Sequence, residues 1–274
     1  VAKVIKKLKP SKLKFETISV GATENLIMAA TLCKGKTIIK NIAIEPEIID
    51  LINFLNKSGA KIVFNSKRII TIEGVESLKG STHSVIPDRI EAGTYAVASL
   101  ISNGKITLNR VDTKVMKNIF DVLKLSGAKL KFNKKNSVTV SRKKIKSLNI
   151  KTIPYPGFPT DMQAQLMSLL CLGNGKSIIK EDIFENRFLH VSELKRMGAN
   201  IKIKNKSAYI QGIKNFTGAE VMATDLRASV SLVLAGLAAK GTTIVNRIYH
   251  LERGYEDLVK KLKKCGASII TKNV

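Results

Sequence analysis

Two sets of glycines recur along this chain at nearly constant intervals, and that periodicity constrains the fold more tightly than any other feature. Gly35, Gly104, Gly175 and Gly241 each precede a short β-prone run such as Lys-Thr-Ile-Ile, at intervals of 69, 71 and 66 residues. Gly-Ala pairs begin at Gly59, Gly127, Gly198 and Gly266, spaced 68, 71 and 68 residues apart. A third anchor is an Asp or Ser followed by a nearly all-apolar run, at Ser19, Asp88, Asp161 and Asp225. Self-similarity at a fixed period of this length marks a chain built from structural repeats, here four.

Each repeat reads as an apolar helix, a short strand, an amphipathic helix stopped by Gly at its C′ position, and a hairpin of alternating residues such as 61–65 and 68–73. The two helices differ in kind. The first, for example residues 226–240, is apolar around most of its circumference and must be covered on all sides. The second, for example residues 252–265, mixes apolar and charged residues at helical spacing and can keep one face in water. The contrast predicts an α/β protein with buried helices inside and sheets outside.

With 274 residues and 44% hydrophobic content the chain can bury a large core and form one or two domains. Its longest apolar stretches run to about a dozen residues, short of the roughly 20 needed to cross a bilayer, so no membrane span is expected. The start, Val-Ala-Lys-Val-Ile-Lys-Lys-Leu-Lys-Pro, has positive charge but no apolar h-region behind it, which argues against a secretory signal and for a cytoplasmic location. Cys33, Cys171 and Cys265 lack metal-ligand spacing and read as reduced structural thiols.

The net charge of +26 raises the question of nucleic acid. Of the 47 basic residues 38 are Lys, scattered over every repeat, and aromatic residues make up only 5% of the chain. Such a surface lacks the Arg forks and stacking platforms of sequence or single-strand readers. Specific nucleic-acid binding is therefore not expected, although salt-sensitive sticking to polyanions is.

Against that background the nine arginines carry information. Arg89, Arg187, Arg227, Arg247 and Arg253 lie in or beside the helix starts or the turns before the second helices, and a guanidinium fork matches carboxylate or phosphate as Lys does not. Arg110 and Arg247 follow Asn at equivalent places in their repeats, so a structural turn role fits Arg247 equally well. Asp88, Asp161 and Asp225 also have two readings: Asp is a preferred N-cap, and capping alone would repeat it at one position. Repetition nevertheless aims several helix N-termini to one side, and such ends attract anions. Together with Arg227 and Arg253 they suggest a site for a small phosphorylated or carboxylated substrate with a carboxylate at hand.

Seven motifs then become recognisable in order: Ser-Val-Gly-Ala-Thr-Glu-Asn at 19–25, Glu-Pro-Glu-Ile-Ile-Asp at 45–50, Pro-Asp-Arg-Ile-Glu at 87–91, Phe-Pro-Thr-Asp-Met-Gln-Ala-Gln at 158–165, Phe-Glu-Asn-Arg-Phe at 184–188, Met-Ala-Thr-Asp-Leu-Arg-Ala-Ser at 222–229 and Arg-Ile-Tyr-His-Leu-Glu-Arg-Gly-Tyr at 247–255. Together they closely resemble the UDP-N-acetylglucosamine 1-carboxyvinyltransferases of the enolpyruvyl transferase family, over essentially the whole chain. The resemblance implies transfer of the enolpyruvyl group of phosphoenolpyruvate to the 3′-hydroxyl of UDP-N-acetylglucosamine, with release of phosphate, at the committed step of peptidoglycan and hence cell-wall synthesis, which serves cell shape and division. It implies an inside-out α/β barrel of βαβαββ-type repeats, four of the family's six being present, and an active site in an interdomain cleft. Residues 1–86 would be the last repeat of the first domain and 87–274 the three repeats of the second.

Carried over by motif, Asp161 would be the general base and Asp225 would lie beside the reacting carbon. Thr17, Ile18, Ser19, Val20 and Ile183 would contact the uridine nucleotide, although Thr17 stands where some members carry Lys. Arg227 and Arg253 would hold phosphoenolpyruvate, with Arg89 a further substrate-binding candidate. The implied scheme needs no metal or organic cofactor, and a monomer is expected. The family's Lys-Asn pair and its mobile loop with a reactive Cys have no counterpart in these residues, so the 274-residue chain alone is expected to be inactive. Two other readings stand beside this one: the shikimate-pathway enolpyruvyl transferase, which should lack the motifs at 158–165 and 184–188, and a non-catalytic basic repeat protein that binds polyanions.

Overall fold

A computed structural model describes residues 7–134 and 136–272. The chain divides into two compact units, Val1–Ile86 with Pro154–Pro156 and Pro87–Ile153 with Gly157–Val274.

The first unit holds one repeat: β1 (Lys12–Lys14), α1 (Val20–Thr31), β2 (Gly35–Lys40), α2 (Pro46–Lys57), β3 (Lys61–Ser66) and β4 (Ile69–Gly74). Its sheet runs β1-β2-β4-β3, with β1 parallel to β2 and the remaining pairs antiparallel. Ser19 starts α1 because its extended backbone lets the hydroxyl accept the Ala22 amide at 3.3 Å. Helix α2 opens with Pro46 in its first turn and stops at Gly59, whose φ of +100° suits only a residue without Cβ. Alternation along β4 sends Ile70 and Ile72 into a core with Ile27, Ile39, Ile42 and Ile48, all fully buried. The short return at Tyr155 is pinned here by Arg68, which donates to the Ile42 and Tyr155 carbonyls at 2.8 Å. Helix α1, expected to be covered all round, buries only Thr23, Ile27, Ala30 and Thr31, and leaves Met28 exposed, as is Leu32 at its C-cap.

The second unit carries the other three repeats. The first comprises α3 (Arg89–Ile101), β5 (Ile106–Leu108), α4 (Lys117–Leu125), β6 (Ala128–Asn133) and β7 (Ser137–Arg142). Next come β8 (Asn149–Thr152), a 3-10 turn (Thr160–Met162), α5 (Gln163–Leu170), β9 (Lys176–Glu181), α6 (His190–Arg196), β10 (Asn200–Lys204) and β11 (Ser207–Gln211). The last comprises β12 (Phe216–Thr217), β13 (Glu220–Met222), α7 (Leu226–Leu237), β14 (Ala239–Lys240), β15 (Ile244–Asn246), α8 (Tyr249–Glu252) and α9 (Leu258–Lys264). The sheet β8-β9-β11-β10 repeats the order of β1-β2-β4-β3, and β5-β7-β6 is the same order without its first strand. The last repeat contributes two parallel pairs, β13 with β15 and β12 with β14. The fold is mixed α/β, its strands forming separate sheets of two to four strands.

Helices α3, α5 and α7 pack on one another, and Gln163–Leu170 and Ala228–Ala235 are buried without a break, as their apolar circumference requires. The amphipathic α4 instead buries Ile119, Phe120, Val122 and Leu123 along one side. All four glycines read as C′ residues have positive φ, between 90° and 101°. Arg110 and Arg247 share a φ of 57°, so the turn reading of Arg247 is correct for its backbone.

Two helix boundaries differ from expectation. Residues 226–240 do not form one helix: α7 ends at Leu237, and Ala239–Lys240 turns away to pair with Phe216–Thr217. Residues 252–265 are broken between α8 and α9, with Asp257 left-handed at φ 50°. The break follows from packing. Gly254 lies so close to α7 that a Cβ there would come within 2.8 Å of the Leu226 side chain, and Tyr255 turns inward until it is 2% exposed.

Candidate anion-binding and proton-transfer site

Asp88 and Asp225 behave as caps. Each uses one carboxylate oxygen to accept two amides, those of Ile90 and Glu91 for Asp88 and those of Arg227 and Ala228 for Asp225. Asp161 does not. The cap position before its 3-10 turn is held by Pro159, and among the described residues the Asp161 carboxylate takes no backbone amide. Its two oxygens instead take one guanidinium each: Oδ1 pairs with Arg187, and Oδ2 with Arg227 at 2.6 Å. The arginine side chains are 11% and 16% exposed, whereas Asp161 keeps 40% of its side chain open to solvent.

Burial alone would raise the Asp161 carboxyl, but the Arg227 and Arg187 guanidiniums outweigh it and hold it below the ordinary carboxylate range. Burial pulls Arg227 down, and the neighbouring Asp161 charge more than restores it. The cluster is therefore a carboxylate between two permanent cations, with solvent access on the carboxylate's side.

Glu181, at the end of β9 and 3% exposed, holds the two segments that build this cluster. Its Oε2 accepts the Thr160 hydroxyl at 2.8 Å, next to Asp161, and its Oε1 accepts the Ile183 and Phe184 amides at 2.9 and 3.0 Å, in the loop leading to Arg187. Asn186 takes a left-handed φ of 55° just before Arg187, whose guanidinium lies 4.8 Å from the Phe184 ring centre. Fully buried His190 lies between the fields of Asp225 and Arg187, and burial pulls its imidazole down to about 4, so it is neutral near pH 7.

Of the residues expected at a site, Asp161 and Arg227 are in direct contact, and Asp225 is two residues from Arg227 on the same helix start. Arg89 is buried at the first position of α3. Ile183 is 40% exposed on the loop tied to Glu181. Arg253 is exposed at the end of α8, and among the described residues no bond joins it to the Asp161 cluster. Thr17, Ile18, Ser19 and Val20 precede or open α1 in the other unit, Thr17 and Val20 exposed and the middle two half-buried. Sequence reasoning did not assign Arg187, Glu181, Thr94, Gln165 or Tyr255. The scarcity of Arg was a usable signal for the first, and buried polar side chains within apolar helices for Thr94 and Gln165; Glu181 at a strand end and Tyr255 in a helix break carried no such signal. Among the described residues no group of three His, Cys, Asp or Glu is placed to hold a metal, and no helix is long and apolar enough to cross a membrane.

This repeat architecture is shared by enolpyruvyl transferases of known structure. The enolpyruvyl transferase NikO from Streptomyces tendae superposes with a TM-score of 0.86 at 27% identity, over 96% of this chain and 65% of that one. EPSP synthase from Acinetobacter baumannii, at a TM-score of 0.74 and 16% identity, covers 97% of this chain and 64% of its own. The chain belongs to the EPSP synthase (3-phosphoshikimate 1-carboxyvinyltransferase) family, whose model matches residues 1–262. Its curated relatives include the UDP-N-acetylglucosamine 1-carboxyvinyltransferases of Pelagibacter ubique, 57% identical over 94% of this chain, and Endomicrobium trichonymphae, 55% identical over 96%. The chain spans 62% and 63% of the length of those two proteins.

Proposed function

We propose that the complete protein transfers the enolpyruvyl group of phosphoenolpyruvate to the 3′-hydroxyl of UDP-N-acetylglucosamine, releasing phosphate, in the committed step of peptidoglycan synthesis. The observation that carries this reading is the Asp161 carboxylate held between Arg187 and Arg227 in a chain 57% identical to a relative of that name. Adding an alcohol across an enol phosphate requires a base for the hydroxyl proton and cations for the substrate's phosphate and carboxylate, while the methylene carbon takes up a proton on addition and gives one up again as phosphate leaves. Asp161 supplies the first and the two guanidiniums the second. At rest Asp161 is a weak base, because both cations stabilise its charge. An anionic substrate engages the free N–H groups of the same guanidiniums, and as its charge offsets theirs the carboxyl becomes more basic when a proton has to be removed. Asp225 lies beside the reacting carbon, Arg253 and Arg89 add to the anion site, and Thr17, Ile18, Ser19, Val20 and Ile183 contact the uridine nucleotide.

In the same reading residues 1–86 are the last repeat of one enolpyruvyl transferase domain, 87–274 are the three repeats of the other, and the latter form an inside-out α/β barrel. The protein acts as a cytoplasmic monomer on small-molecule substrates, apart from membrane and specific nucleic acid. The test is phosphate release from phosphoenolpyruvate, measured on the 274-residue chain and on that chain joined to the part of the Pelagibacter relative it does not span. Turnover dependent on UDP-N-acetylglucosamine is expected from the joined polypeptide and not from the chain alone. Turnover with 3-phosphoshikimate in place of the sugar nucleotide would assign the protein to the other branch of the family.

A further inference from the structure

Below the ion-paired cluster lies a buried polar group that the reaction scheme leaves unused: Thr94 on α3, Gln165 on α5 and Tyr255 in the break between α8 and α9, at 1%, 0% and 2% exposure. Its hydrogens can be counted. The Thr94 hydroxyl donates its single proton to the Ile90 carbonyl at 2.8 Å, one turn back in its own helix. Its oxygen then has only lone pairs to offer, and it accepts the Gln165 amide at 3.1 Å and the Tyr255 hydroxyl at 3.0 Å. The second Gln165 amide hydrogen goes to the Asp161 carbonyl at 2.9 Å, closer than the 3.3 Å to Tyr255. The Tyr255 proton is thus committed to Thr94, and its lone pairs face the one donor left, Arg227 Nη1, at 3.4 Å.

We infer that Tyr255 is a positioning residue for Arg227: its hydroxyl, turned by Thr94, fixes the guanidinium so that Nη2 meets Asp161 and the remaining N–H groups stay available to an incoming carboxylate or phosphate. Among the described residues the other hold on the Arg227 guanidinium is at its far prong, by Asp161, and a guanidinium on a single ion pair can swing about it. The Tyr255 bond supplies a second point and so sets the plane. Burial raises the Tyr255 phenol, which keeps it protonated and able to serve Thr94 across the working pH range. At 3.4 Å the contact to Arg227 is long, so its energetic share is that of one ordinary hydrogen bond or less. The inference rests on the proposed function for the identity of the anion, but the coupling from Tyr255 through Arg227 to Asp161 does not depend on it.

The experiment separates the two. In the 274-residue chain the carboxyl-carbon resonance of Asp161 is titrated by ¹³C NMR in wild type, Tyr255→Phe, Thr94→Val and Thr94→Ser. With Tyr255→Phe the midpoint is expected to move up toward the ordinary carboxylate range, because Arg227 is held less firmly against Asp161. Thr94→Val, which removes the acceptor that turns the hydroxyl, is expected to move it the same way, and Thr94→Ser, which keeps that acceptor, to restore it. A Tyr255 that merely fills space would leave every midpoint unchanged, and that result overturns the inference. Should Tyr255→Phe not fold, the Thr94→Val and Thr94→Ser pair decides alone, since the same reasoning requires them to differ. Phosphoenolpyruvate, added to the joined polypeptide and followed by ³¹P NMR, is expected to bind Tyr255→Phe about 2- to 12-fold more weakly than wild type, the equivalent of one hydrogen bond. If the Asp161 midpoint moves as expected but the wild-type joined polypeptide does not bind phosphoenolpyruvate, the positioning role stands and the substrate assignment falls.

Discussion

Replacing Glu181 by Ala tests whether the Asp161 site is held together by one buried carboxylate. The substitution removes the acceptor for the Thr160 hydroxyl and for the Ile183 and Phe184 amides. Hydrogen bonds to a charged group contribute about 1.5–3 kcal/mol each, and the three donors here are part-buried, so water replaces some of what is lost. The full sum is not expected, because burying a carboxylate at 3% exposure itself opposes folding and its loss offsets part of the damage. A net destabilisation of about 3 kcal/mol follows, or about 6–12 °C in the melting temperature of a domain of this size. Glu181→Gln keeps a carbonyl oxygen for the two amides and turns an NH2 toward Thr160, so about 1 kcal/mol is expected. Thermal unfolding followed by circular dichroism measures both variants, and hydrogen exchange at the Ile183 and Phe184 amides, fast in Ala and slow in Gln, locates the effect. An Ala variant within about 0.5 kcal/mol of wild type, with those amides still protected, would refute the reasoning.

Asp161→Asn in the joined polypeptide is expected to lower turnover by about 10²- to 10⁴-fold with sugar-nucleotide binding largely kept, since Asp161 makes no cap bond whose loss could confuse the result. Its pH signature has a definite sign. A carboxyl held below its unfolded value contributes stability that is present above about pH 4 and is lost as the pH falls through the folded value, so the Asn variant should lack that part of the acid limb in a melting-temperature profile. Arg227→Lys should raise the KM for phosphoenolpyruvate about 10- to 100-fold, because a point charge cannot serve Asp161, Tyr255 and an anion together, and Arg253→Lys should raise it too if Arg253 holds the same substrate. Native-state titration with an aromatic disulfide reagent should modify exposed Cys265 and spare buried Cys171, whose thiol burial pushes up to about 12.

Most of the fold was legible because the devices that define it are local. A Gly at C′, an Asp or Ser at an N-cap and an apolar run of helical length each act within one turn, and their repetition averages out the noise of any single instance. Where expectation missed, a tertiary contact overrode a local pattern. The helical spacing of residues 252–265 is real, but it could not reveal that Gly254 packs against Leu226 and that Tyr255 has a buried partner in Thr94. Nor could the apolar run at 226–240 show that its last two residues have a strand partner at Phe216–Thr217.

The site was half legible for the same physical reason. Capping and chemistry predict the same residue type at a helix start, so sequence periodicity cannot tell Asp161 from Asp88 or Asp225. What distinguishes them is a proline. Pro159 starts the turn two residues before Asp161 and takes over the cap position, so the carboxylate is not used by the backbone, whereas Asp225 uses one oxygen on the Arg227 and Ala228 amides. A carboxylate relieved of capping is free to pair with arginines 26 and 66 residues further along the chain. A repeat that keeps the Asp but moves the cap is where side-chain pairing departs from the repeat pattern, and Phe-Pro-Thr-Asp is the only one of the four helix starts that does so with a proline at that position.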